Sequence, residues 1–211
     1  MVITYFGKEC FKITLGDLTI ALNPVSKSSK ALAKTPRFGA DIVLSTTNHP
    51  DYNGVEQMSF GEREPFVIDG PGDYEIKGLF FKGALSKIVI GGKEYVNTVY
   101  GFELDGIKIA FLGALADEST LTAEAKQIAS SADLIFVPAG GGEVFDPAAA
   151  YKLAVSFDPN IIVPMDADTE HLKRFLKEGG QEKNETLDKL TLKRRDLDGK
   201  EAYIAVLEPQ S

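Results

Sequence analysis

The sequence predicts an α/β sandwich: two β-sheets in contact, with helices on their outer faces. Three observations predict it. The first half is a succession of short runs rich in β-branched and aromatic residues, broken by Gly, Asp and Pro. From about residue 122, helical stretches alternate with short, wholly apolar runs. A last pair of short apolar runs closes the chain. At 211 residues the length suits one sizeable domain spanning 1–211.

The elements follow in order. Residues 2–6, 10–15 and 18–22 predict strands, the last two joined by a hairpin turn at Gly16-Asp17. Residues 26–36 are polar and basic and predict a mobile loop. Residues 41–45 predict a short strand. Three more are predicted at 65–69, 73–76 and 79–82, punctuated by Gly70-Pro71-Gly72 and Gly78. Residues 94–104 and 107–111 predict a hairpin around Asp105-Gly106. A helix is predicted over 122–130 with Thr122 as its N-cap, then a buried strand over 134–137. Asp146-Pro147 opens a helix to about Val155, the aspartate capping and the proline in first position. Residues 161–163 predict another buried strand. Residues 169–177 predict a helix ended by Gly179-Gly180. Residues 190–207 predict a hairpin turning at Asp198-Gly199.

Composition excludes several classes. Hydrophobic content of 44% with 26% charged residues is that of a globular protein. A net charge of -8 opposes general binding to nucleic acid or to an anionic membrane. The lone cysteine, Cys10, excludes an internal disulfide and reads as a buried thiol in an alternating strand. There is no basic-then-apolar leader, and no apolar run near the roughly 18 residues of a membrane helix. The expected location is cytoplasmic.

Residues 43–54, Val-Leu-Ser-Thr-Thr-Asn-His-Pro-Asp-Tyr-Asn-Gly, run from a strand end into a loop. The loop carries one of the two histidines, with an aspartate two residues later. That is the shape of a metal-binding loop.

Further motifs extend the pattern. They are Tyr5-Phe6-Gly7-Lys8-Glu9-Cys10-Phe11, Ala21-Leu22-Asn23-Pro24, Asp69-Gly70-Pro71-Gly72-Asp73-Tyr74, residues 101–113, Val137-Pro138 with the following Gly-rich turn, and Ile162-Val163-Pro164-Met165. Together they resemble the metallo-β-lactamase superfamily, in the branch of small hydrolases similar to ascorbate-6-phosphate lactonase. The resemblance implies a four-layer αββα sandwich with a metal cleft along one sheet edge. It also implies a set of ligand stations. The His-x-His-x-Asp-His station falls on Thr47, His49, Asp51 and Tyr52, of which His49 and Asp51 match. A second histidine station falls on residues 83–87, which contain none. The bridging aspartate position holds Ala114, and the histidine after Pro-Met is Asp166. Lys8 stands where the family usually has histidine, and Asn23 where it has aspartate.

Hydrolysis in this fold uses a metal to lower the pKa of a bound water to about 7. Without a bridging carboxylate at Ala114 a two-metal centre is not expected. A single divalent ion (zinc, manganese or iron) on His49, Asp51 and Asp166 is the remaining metal reading, with Asp51 orienting the attacking water. Against it stand structural readings. His49 and Thr47 can bond to backbone, Asp51 and Asn53 can make turn bonds, and Tyr52 can fill the space of a missing imidazole. Asp166 can be a solvated loop acid and His171 a surface residue. The Gly-rich residues 139–142 read as a tight turn or an anion loop, and Lys193-Arg194-Arg195 as a solvated turn. Two functions follow. One is a non-catalytic or residual member that binds a small molecule in its cleft, with no cofactor. The alternative is a metal-dependent hydrolase with an altered mononuclear site, acting on a small phosphorylated or lactone-like substrate. Assembly into a homo-oligomer through exposed sheet edges also stays open.

Overall fold

The computed structural model describes residues 1–61 and 64–210. Its first half supplies β1 (Val2–Tyr5), β2 (Phe11–Leu15), β3 (Leu18–Leu22), β4 (Ile42–Leu44) and β5 (Phe66–Ile68). The next strands are β6 (Gly72–Ile76), β7 (Leu79–Ile90), β8 (Lys93–Leu104) and β9 (Ile107–Phe111). Then α1 (Ala123–Ser130), β10 (Leu134–Pro138), α2 (Pro147–Ser156), β11 (Ile161–Met165) and α3 (Thr169–Glu178) alternate. Four two-residue strands end the chain: β12 (Thr186–Leu187), β13 (Leu190–Thr191), β14 (Tyr203–Ile204) and β15 (Val206–Leu207).

Two large sheets result. One has the order β13-β1-β2-β3-β4-β5, the other β14-β11-β10-β9-β8-β7-β6, and β12 pairs with β15 apart from both. β9, β10, β11 and β14 run parallel. Such strands are buried on both faces, which explains why Leu134–Pro138 and Ile161–Met165 are apolar throughout rather than alternating.

The sheets meet in a shared core. Phe11 of the first sheet lies edge-on to Phe136 of the second at 4.8 Å between ring centroids, and Phe136 to Phe111 at 5.7 Å. All three rings are buried. The three α-helices cover the other face of the second sheet, through Ala125, Ile128, Ala129, Leu153, Ala154 and Phe175. The first sheet's outer residues Ala21 and Val43 are covered instead by irregular chain carrying Phe38, Ala40, Val55 and Met58. The sandwich is thus the predicted one, with its second cover made of loop. Helix starts follow their caps. Thr122 accepts from the Ala125 amide at 3.2 Å, Asp146 from Ala148 at 3.0 Å, and Asp168 from Glu170 and His171 at 2.9 Å.

Two elements differ from the sequence prediction. Residues 190–207 do not form a hairpin. β13 pairs with β1, β14 with β11 and β15 with β12, and the turn Arg194–Leu197 lies between them. The Asp198-Gly199 turn signal is local, whereas each apolar pair in this tail gains more by extending a separate sheet. β7 also runs on to Ile90, well past the predicted end at residue 82. Its second half alternates, Ser86, Ile88 and Ile90 inward and Leu85, Lys87 and Val89 outward. Among the described residues, no helix is long and apolar enough to cross a membrane.

Candidate functional site

The cleft forms where the β1–β2 turn, the loop after β4 and the loop after β11 meet. Two residues at that junction, Lys8 and Asp166, have left-handed backbone at φ 54° and 56°. Neither is glycine, so each conformation is strained and must be held from outside. The Asp166 amide donates to the Lys8 carbonyl at 2.8 Å. The Tyr5 hydroxyl donates to the same carbonyl at 2.8 Å and lies 3.2 Å from the Asp166 amide. The side chains repeat the clasp: Lys8 Nζ donates to Asp166 Oδ2 at 2.7 Å. Gly140 is required beside them, because a Cβ there would stand 1.9 Å from the Asp166 carbonyl oxygen.

Lys8 Nζ also lies 5.4 Å from the centroid of the Tyr52 ring. Tyr52 is 2% exposed and packs with Ile88, Ile90, Tyr95 and the methyl of Ala114. Its phenol is pushed far above the ordinary range, first by burial and then by Glu9, Asp166 and Asp51. Burial lowers the Lys8 ammonium, but Asp166, with Glu9 and Asp51, more than offsets this, so Lys8 titrates above its usual value and carries its charge. Asp166 is raised as well. Burial dominates there, Lys8 opposes it, and the carboxylates of Asp51 and Glu143 add to the upward push.

His49 stands on the rim. Its Nδ1 accepts from the Asp51 amide at 3.3 Å and lies 3.8 Å from Asp51 Oδ2. Its ring meets Tyr95 edge-on at 5.5 Å. Asp51 Oδ1 accepts from the hydroxyl of Ser29, in the segment predicted to be a loose loop. Thr47 is buried, its hydroxyl donating to Asn97 Oδ1 at 3.2 Å. Residues 83–87 lie within β7 and bring no ligand to the cleft. His171 sits in the first turn of α3, 2.8 Å from Asp168 Oδ1. The Gly-rich residues form a turn, with the Gly141 amide bonded to the Phe145 carbonyl at 2.9 Å. Cys10 is buried and its thiol is pushed up to about 12 by that burial, so it does not serve as a nucleophile.

Beneath the cleft lies a polar chain. Asn23 donates to Glu9 Oε2 at 2.8 Å and to Thr46 Oγ1 at 2.9 Å. Thr46 Oγ1 is 3.5 Å from Thr47 Oγ1, and Thr47 reaches Asn97. Asn97 donates to Ser86 Oγ at 2.7 Å and to the Leu112 carbonyl at 2.9 Å. All six side chains are buried. Glu9 keeps one oxygen, Oε1, without a partner among the described residues. Burial first, then Asp166, raises its carboxyl to about 8. Glu9 and Asn97 were not picked out from the sequence as site residues. The signal was polar residues set against apolar ones, Glu9 before Cys10-Phe11 and Asn97-Thr98 between Val96 and Val99.

These donors do not fit a metal centre of the kind the resemblance implies. Among the described residues, no three of His, Cys, Asp and Glu gather around one point. Asp166 is engaged by an ammonium, Asp51 by a serine hydroxyl, and the His49 Nδ1 lone pair by a backbone amide. A dication would also meet the fixed charge of Lys8.

Fold and cleft together define a two-sheet α/β sandwich with a polar cleft at the strand ends. The family described as beta-lactamase superfamily domain matches residues 2–166, and the chain belongs to that superfamily. Among curated proteins no match is found. A candidate Zn-dependent hydrolase of the metallo-beta-lactamase superfamily from Thermotoga maritima is 26% identical, with 98% of each chain covered and a TM-score of 0.70. A metallo hydrolase from Ignicoccus hospitalis is 20% identical over 100% of this chain and 96% of its own, at a TM-score of 0.62. A candidate metal-dependent hydrolase from Parabacteroides distasonis is 17% identical over 99% and 93%, at 0.63. The last two likenesses concern the fold alone.

Proposed function

We propose that the protein is a non-catalytic member of the superfamily, whose cleft binds a small molecule without a metal cofactor. One observation carries the reading. The Lys8 ammonium lies 2.7 Å from Asp166 and 5.4 Å from the centroid of the buried Tyr52 ring, a protein cation beside two of the positions at which the resemblance implies metal ligands. Hydrolysis needs a nucleophile activated near neutral pH. Three groups of the cleft do not offer one. Tyr52 is held protonated, Lys8 is held charged, and Ala114 contributes only a methyl. The surface left for a ligand is the partly exposed rim of His49, Asp51, Lys8 and Asp166. A broad hollow lies at the other strand ends, lined by Leu15, Asp17, Asp41, Phe66 and Lys77, and shares none of these residues.

Metal content tests the reading. Untagged protein is purified, and zinc, manganese and iron per chain are measured. Release of nitrophenol from phosphodiester and ester probes is followed with added Mn²⁺ or Zn²⁺. The expected results are metal well below one per chain and no release. A stoichiometric metal that disappears in His49→Ala, with turnover, would establish the mononuclear hydrolase on His49, Asp51 and Asp166 instead.

A further inference from the structure

The β7–β8 hairpin outreaches its neighbour. β6 pairs with β7 only from Leu79 to Gly83, so from Ala84 to Ile90 the outer side of β7 has no strand beside it among the described residues. The turn at its tip fixes which backbone groups face outward. Gly91 and Gly92 have φ of 57° and 79°, the signature of a two-residue type I′ turn. The flanking pair Ile90↔Lys93 is then a hydrogen-bonded pair, and the ladder alternates from there. Ile88 and Ser86 bond to β8, whereas Val89, Lys87 and Leu85 turn their N–H and C=O groups to the free edge. An independent bond fixes the same parity. Thr98, opposite Leu85, turns its N–H away from β7 and donates to the Thr46 carbonyl at 2.9 Å. Among the described residues, the amides of Leu85, Lys87 and Val89 have no main-chain partner outside the sheet.

The same residues expose apolar side chains. Leu85 is 38% exposed, Val89 54%, and Val96, directly opposite Lys87, 51%. A long, apolar free edge is what monomeric proteins avoid. Lys87 is the one edge charge that would deter pairing, and it is tied back to Glu94 at 2.9 Å.

We infer that this edge is a dimer interface, with β7 pairing antiparallel to β7 of a second copy about a two-fold axis at Lys87. The edge is self-complementary in that register. Lys87 faces Lys87 of the second copy, each neutralised by its own Glu94, and Leu85 faces Val89 on both sides, apolar against apolar. Each of these facing pairs exchanges two main-chain hydrogen bonds. One sheet would run through both copies. The inner side of the same hairpin presents Ile88 and Tyr95 to Tyr52 and His49, so the interface would brace the cleft from behind.

Mass in solution tests the inference, because a proline at an outward position removes an edge donor and no ladder bond within the chain. Sedimentation and light scattering across a dilution series should give twice 22.9 kDa for the unaltered chain. Val89→Pro and Lys87→Pro should give a single chain mass with an unchanged circular dichroism spectrum. If either proline variant unfolds, the double variant Leu85→Lys, Val89→Lys decides, since it leaves the backbone intact and should also be monomeric. Amide exchange at residues 85, 87 and 89 should be slow in the unaltered chain and fast in the double lysine variant, which keeps all three amides. A monomer at every concentration, or a dimer that survives these substitutions in folded protein, would overturn the inference. Neither outcome bears on whether the cleft holds a metal.

Discussion

Two polar regions lie against each other and are built on opposite principles. The cleft rim, Lys8, Asp166, His49 and Asp51, is ionic and partly wet. The chain beneath it, Glu9, Asn23, Thr46, Thr47, Asn97 and Ser86, is buried and linked mostly by hydrogen bonds between uncharged groups. In the rim, water can replace a lost partner. In the chain it cannot, so each deletion strands its neighbour. The rim can therefore vary in chemistry without loss of the fold, while the chain ties the two sheets together.

The largest expected effect tests the buried side. Asn97→Ala strands the Leu112 carbonyl and removes a partner from Thr47 and from Ser86, whose hydroxyl keeps its bond to the residue-97 carbonyl, and should cost on the order of 3 kcal/mol in urea unfolding at unchanged m-value. A cost no larger than that of a surface substitution would abolish the distinction. Lys8→Met tests the rim next. It leaves Asp166 unpaired, but water reaches that carboxylate, so the cost should be smaller, about 2 kcal/mol in the same measurement. Asp166→Asn combined with it should recover much of the loss, since a neutral side chain needs no counterion.

The third test concerns the border between them. Glu9 titrates near 8 in the folded protein against 4.5 ordinarily, so folding takes up a proton between those values. Stability should therefore fall as pH rises through that window, with a slope approaching about 1.4 kcal/mol per unit. The groups acting on Glu9 are Asn23 and Lys8, which favour its ionised form, and Asp166 and Asp51, which oppose it. Asp166 is also raised and contributes in the same direction. In Glu9→Gln the fall between pH 6 and pH 7 should shrink by about 1 kcal/mol, read as melting temperature against pH. An unchanged profile would mean that Glu9 is solvated and belongs to the rim.

The sequence carried the framework because its signals are local. Caps at Thr122, Asp146 and Asp168 and the apolar runs of β10 and β11 each lie within a few residues of what they determine. The tail failed for the same reason, since Asp198-Gly199 describes a turn while β13, β14 and β15 take partners far away in the chain. At the site, the loop with His49 and Asp51 was legible as a motif, and so were the unusual residues Thr47, Tyr52, Ala114, Asp166 and Lys8. What they do to one another was not.

The amino-acid sequence by itself determined the two-sheet class of this protein, the positions of its helices and of most of its strands, and the composition of its cleft. Only the tertiary structure decided that Lys8 and Asp166, 158 residues apart, would clasp each other, that Tyr52 would fill the space beside them, and that β7 would project an open edge. The reason is physical. Periodicity and capping act over one or two turns of chain, whereas charge pairing and burial depend on which distant segments the packed sheets bring within a few ångströms.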